Sequence, residues 1–107
     1  MGIHTTHKND YTIVQVAIER FDVVNMQEAK DAFESILQQN SKIVIDMSKV
    51  IFIDSSGLSV LIGVLKRLKT KEDSMLKLCG LNTQAIELME ITQLNRIFDI
   101  VDSCDGI

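Results

Sequence analysis

The chain has 107 residues, 46% of them hydrophobic and 24% charged, a length that predicts one domain, residues 1–107, with a core of its own. Lys and Arg number 11 against 15 Asp and Glu, and the net charge of −4 argues against the basic footprint of a nucleic-acid binder. The absence of Pro and Trp excludes a proline-rich recognition segment and disfavours a base-stacking platform.

Met1 to Asp10, MGIHTTHKND, is polar and lacks the apolar run of a secretory signal. Its Met-Gly start with Thr6 matches a myristoylation pattern that is too short and common to carry weight. Ile3 to His7 reads as a short strand, Lys8-Asn9-Asp10 as a hairpin turn, and Tyr11 to Ile18 as a second strand. In that second strand Ile13, Val14 and Val16 alternate with Thr12, Gln15 and Ala17. Asn25 and Glu28 have capping-box spacing, and a helix follows with Met26, Ala29, Phe33, Ile36 and Leu37 on one face. It ends at Gln39-Asn40-Ser41.

Lys42 to Met47 is a β-branched run that predicts a buried strand, and Val50 to Ile53 a further apolar extended segment. Asp54-Ser55-Ser56-Gly57 breaks that pattern. A second helix comes next, with Leu58, Leu61, Ile62, Leu65 and Leu68 on its apolar face. Lys66, Arg67, Lys69 and Lys71 gather at its C-terminal end, where the helix dipole favours cations and a solvated face is expected. Leu58 to Leu65 is too short to span a membrane, so no membrane is expected as a partner. Met75 to Cys79 predicts a strand, Gly80-Leu81-Asn82 a turn, and Thr83 to Glu90 a third helix capped by Asn82. Ile97 to Val101 reads either as a last strand or as the start of a last helix.

Strands alternate with helices after the first hairpin. The expected architecture is therefore α/β, a four- to five-stranded mixed sheet with helices packed mainly on one face. Cys79 and Cys104 have no metal-ligand spacing. Cys79 reads as a small buried hydrophobe and Cys104 as a free thiol, a disulfide between them being the second reading, and a reducing cytoplasm fits best.

The Asp54-Ser55-Ser56-Gly57 turn is the one segment with chemistry to offer. On its local residues it is a capped strand-to-helix turn. His4 and His7 are the only histidines, and Gly-x-Ser-x-Gly is absent, so a serine hydrolase is not expected. No Walker A or dinucleotide fingerprint is present, and no cofactor is expected. Asp22, Asp46 and Asp54 could meet at the strand ends as a metal site. The preferred reading gives no metal: Asp22 and Asp54 shape the surface around Ser55, and Asp46 anchors a turn.

Val50 to Leu61, VIFIDSSGLSVL, closely resembles the signature of the STAS family (sulphate transporter and anti-sigma factor antagonist domains), above all its stand-alone anti-sigma factor antagonists. Phe21-Asp22-Val23-Val24-Asn25, Ile43 to Ser48, Leu78 to Asn82 and Leu94 to Phe98 resemble the family's flanking segments. The resemblance runs from about Tyr11 to Ser103. It implies a protein that is not an enzyme. Its implied partners are an anti-sigma factor with serine-kinase activity, whose release of a sigma factor it promotes, and a phosphoserine phosphatase. The implied phosphoacceptor is Ser55, with Ser56 as second candidate. The implied partner-binding set is Asp22, Asn25, Asp54, Ser55, Ser56, Gly57 and Leu58. The alternative is a non-switching STAS scaffold, or a regulatory subunit of a signalling or lipid-transport complex. Gly is common in the family where this chain has Ser59 and Gln93, and relatives often continue into a longer last helix.

Overall fold

A computed structural model describes residues 2–107. The elements follow in the order β1 (Ile3–Lys8), β2 (Tyr11–Val16), β3 (Arg20–Phe21), α1 (Met26–Gln39), β4 (Lys42–Asp46), β5 (Phe52–Ile53), α2 (Ser55–Lys69), β6 (Met75–Cys79), α3 (Thr83–Ile91), a 3-10 turn (Leu94–Arg96) and β7 (Asp99–Val101). The main sheet has the order β1-β2-β4-β6-β7. β1 is antiparallel to β2 across the two-residue Asn9-Asp10 turn, and every other neighbour is parallel. β3 and β5 form a separate parallel pair. The last segment is thus a strand, the first of the two readings left open for it.

Register assigns the side chains to two faces. Val14 pairs with Ile45, and Ile45 with Leu78, so these three share one face. They are fully buried in a cluster with Ala29, Phe33 and Leu37 of α1, Leu58, Leu61, Val64 and Leu68 of α2, and Ala85 and Met89 of α3. The helices therefore cover this face, as expected of right-handed parallel crossovers. Thr12 also lies on it, almost wholly buried. Its hydroxyl donates to Asn40 Oδ1 at 2.9 Å and meets His7 Nδ1 at 3.1 Å, so the buried polar atom is satisfied. The predicted alternation in β2 is thus corrected: Thr12 points inward with Val14 and Val16, and Ile13 points to the other face.

That second face carries Ile13, Val44, Cys79 and Val101, by the same register. No helix covers it, yet Val44 and Cys79 are buried, and both stand outside the main cluster. The last residues of the chain turn back across this face. Cys79 and Cys104 form a disulfide with their Cα atoms 5.1 Å apart, and Lys8 Nζ donates to the carbonyl of Ile107. This overturns the reading of Cys104 as a free thiol. Cys79 is the small buried residue expected, but what buries it is a segment 25 residues further on.

Two local expectations also change. Asn25 precedes α1 with φ −100° and ψ −5°, and its side chain gives α1 no cap hydrogen bond, so the capping box with Glu28 does not form. Its Nδ2 donates to the carbonyl of Arg20 at 2.6 Å. Lys71 is not part of a solvated basic face. Its Nζ donates to the carbonyls of Leu37 and Asn40, at the C-terminal end of α1. At the same end of the sheet Lys42 pairs with Asp10 at 2.8 Å and Asp73 at 3.6 Å. The hydrogen bond from Lys42, and then its charge, hold the Asp10 carboxyl below the usual carboxylate range.

Candidate functional site

The β5 strand ends at Ile53, Asp54 leaves the strand direction, and α2 starts at once with Ser55. Asp54 is the N-cap, with φ −117° and ψ −170°. Its Oδ1 accepts from the N–H groups of Ser56 at 2.8 Å and Gly57 at 3.2 Å, which would otherwise lack partners in the first helical turn. Ser55 is therefore the first helical residue and is exposed; Ser56 is half-buried. The α2 dipole favours negative charge at this position.

Gly57 seats the helix. A Cβ there would lie 2.2 Å from the carbonyl oxygen of Phe21 and 2.9 Å from its ring, so only glycine allows α2 to meet β3 this closely. Asp54 N–H also approaches that carbonyl, at 3.4 Å. Through Phe21 the loop Asp22–Asn25 is brought beside the start of α2. Asp22 shapes this loop: its Oδ1 accepts from Val24 N–H at 3.1 Å, and its Oδ2 lies 3.5 Å from Arg20 Nε. Arg20 in turn stacks over the Phe52 ring, 4.5 Å from its centroid.

Gly57 and Leu58 are buried, Leu58 in the main core. They anchor α2 from below, with little side-chain surface of their own exposed. Asp22, Asn25, Asp54, Ser55 and Ser56 do come together around the β3 and β5 ends. Asp46 does not join them. Its Oδ1 accepts from Ser48 N–H at 2.9 Å, the turn-anchoring role expected of it. Among the described residues the one group with metal-ligand proximity is Asp46 with Cys79 and Cys104, whose sulfurs are bonded to each other.

Several contacts at this end had no clear sequence signal, although the Asn82 cap of α3 forms as expected. Gln84, from α3, donates to the carbonyl of Ile53 at 2.8 Å and accepts from its N–H at 3.0 Å. Asn82 does two jobs, capping α3 through Ala85 N–H at 2.9 Å and holding the Ile51 carbonyl at 2.7 Å. Together they take the place of a neighbouring strand along β5, on the side away from β3. Val23, Val24 and Ile51 stand largely exposed on the two loops that flank this end. Apolar side chains this exposed gain little from the fold and leave a surface open to contact. On the flank of the molecule, Phe33, Leu37, Val60, Gly63 and Val64 line a shallow groove between α1 and α2.

The fold is an α/β domain with a hydrogen-bonded, serine-bearing helix start at one sheet end. Residues 3–106 match the STAS domain model, and the chain belongs to the STAS family, in its anti-sigma factor antagonist group. It is 31% identical to the anti-sigma-B factor antagonist of Bacillus subtilis over 107 residues, 99% of this chain and 97% of that protein. The structure of an anti-sigma factor antagonist domain protein from Planctomyces limnophilus superposes with a TM-score of 0.85 at 21% identity, covering 95% of this chain and 90% of the other. The Bacillus cell fate determinant SpoIIAA, solved in its phosphorylated form, shares the fold with a TM-score of 0.73 at 12% identity, over 96% of this chain and 92% of its own. Members of this family are regulatory and not catalytic, so the chain is not an enzyme.

Proposed function

We propose that this chain binds an anti-sigma factor with serine-kinase activity through the β3–β5 end of the domain, and that phosphorylation of Ser55 ends the complex. The observation that carries the reading is the position of Ser55: exposed, first in α2, and flanked by the exposed apolar Val23, Val24 and Ile51. The 31% identity with an anti-sigma-B factor antagonist supports the partner class.

The switch follows from charge and desolvation. A phosphate adds roughly −1.5 to −2 charges and three strong acceptors. On Ser55 it would stand at the positive end of α2, where the domain tolerates it, and next to the Asp54 carboxylate. A partner docked over Val23, Val24 and Ile51 would have to desolvate that phosphate. The domain stays folded while the complex dissociates. Each ~1.4 kcal/mol of lost interaction is a tenfold weaker complex, so a loss of a few kcal/mol is sufficient. A phosphoserine phosphatase would restore binding. The same reading places this action in the cytoplasm, without nucleic acid, membrane or cofactor.

The test is capture from the source lysate with wild-type and Ser55→Asp baits, read by mass spectrometry and paired with phosphosite mapping after incubation with ATP. The expected result is an ATPase-fold kinase held by wild type and lost by Ser55→Asp, with phosphate on Ser55. Equal retention of that kinase by both baits would overturn the switch. Phosphate on Ser56 alone would move the acceptor.

A further inference from the structure

The helix-free face of the sheet is closed by a single covalent tie. Val44 and Cys79 are buried there without belonging to the main core. Beyond β7, Asp102, Ser103, Asp105 and Gly106 are exposed, and Cys104 and Ile107 are half-buried. The other bond from this tail to the rest of the domain among the described residues is Lys8 Nζ to the Ile107 carbonyl; Ile107 N–H to the Cys104 carbonyl at 3.3 Å and Asp105 N–H to Ser103 Oγ at 3.0 Å lie within the tail itself. Gly80 makes room for the bridge. It has φ +73°, and a Cβ on it would lie 3.1 Å from Cys104 Sγ and 3.0 Å from Ser48 N. One Asp46 carboxylate oxygen lies within 4.8 Å of both sulfurs.

We propose that Cys79 and Cys104 form a reversible thiol–disulfide site whose redox state sets whether the tail covers the helix-free face. The reductant is a dithiol. One of its thiolates attacks Cys104 Sγ, the more accessible sulfur. The Cys79–Cys104 bond breaks, a mixed disulfide forms on Cys104, and Cys79 leaves as a thiolate that takes up a proton. The second thiol of the reductant then attacks its own sulfur in that mixed disulfide. Cys104 departs and is protonated, and the reductant is released as its disulfide. Two electrons and two protons pass to the protein. Oxidation by a disulfide of the same class runs these steps backwards.

Reduction frees the tail because little else holds it, and it leaves the domain folded because the main core lies on the other face. The event uncovers Val44, Cys79 and Ile13 as a new apolar strip. The Asp46 charge opposes the negative charge that builds on sulfur in each exchange step, so it slows both directions. The inference stands independently of the function proposed for Ser55.

The test begins with protein purified without reductant and mapped as non-reduced peptides. It continues with dithiothreitol titration in native buffer, followed by hydrogen exchange of the segments 42–47 and 98–107. The expected result is a linked Cys79–Cys104 peptide that dithiothreitol opens without denaturant. Tail amides should then exchange roughly tenfold faster or more, with a cooperative melt retained. Asp46→Asn keeps an acceptor for Ser48 N–H, removes the charge, and should be reduced several-fold faster than wild type. Cys104→Ser should show the reduced exchange pattern with or without dithiothreitol. Two free thiols that resist oxidised dithiothreitol would overturn the proposal. So would a link that opens only in denaturant, or unchanged exchange after reduction.

Discussion

The two faces of the one sheet are buried by different means. On the first face, Val14, Ile45 and Leu78 lie under three amphipathic helices, and many apolar contacts share the burial. On the second, Val44 is just as inaccessible as Ile45, its neighbour in the chain, but its cover is a short polar tail tied down by a disulfide. The first kind of burial is distributed and costly to undo anywhere. The second is concentrated in one bond and is lost locally when that bond opens. Ser55 sits on the helix side of this division, at the start of α2, so the proposed phosphate switch and the proposed redox site would lie on different faces of the sheet.

Three substitutions test that contrast. Ile45→Ala removes a fully buried side chain under the helices and should cost about 2–5 kcal/mol in urea unfolding. The loss should be the same in oxidised and reduced protein; a loss that depends on redox state would mean the tail supports both faces. Val44→Ala should cost roughly 1.5–2.5 kcal/mol while the disulfide is closed and about half of that or less once it is reduced. Equal losses in the two states would show that Val44 stays covered without the bridge, and the two faces would then differ little. Gln93 provides the reference. It precedes the 3-10 turn with φ 61°, a conformation that disfavours residues with a Cβ. Gln93→Gly should raise stability by about 0.5–1 kcal/mol, equally in both redox states, read from thermal melts. A lower melting temperature would mean that the Gln93 side chain makes up for its backbone strain.

Much of the fold was legible because its signals are local. The periodicity of Met26 to Gln39 and of Ser55 to Lys69 belongs to single helices, and the β-branched run at Lys42 to Asp46 belongs to a single strand. The strand–turn–helix order around Asp54 and Ser55 could be read the same way. The helix faces were legible only in part: Val60 and Val64 are buried, whereas Ile62 and Leu65 are half-exposed, because α2 lies against α1 as well as the sheet. The capping residues show the limit most clearly. Asn25 and Asp54 both have the chemistry of an N-cap. Asp54 caps α2, while Asn25 is drawn to the Arg20 carbonyl, a choice made by the path of the neighbouring loop.

The sequence by itself determined the family, the alternation of strands and helices, and the serine turn, since each resides in consecutive or near-consecutive residues. Tertiary structure alone decided that Gln84 would brace β5 from 31 residues away, that Leu58 would serve the core and not the surface, and that Cys104 would find Cys79. Composition and periodicity describe how a segment divides between water and apolar neighbours. They carry no information about which distant segment supplies those neighbours, and that pairing emerges only when sheet register and chain reversal bring the partners into contact.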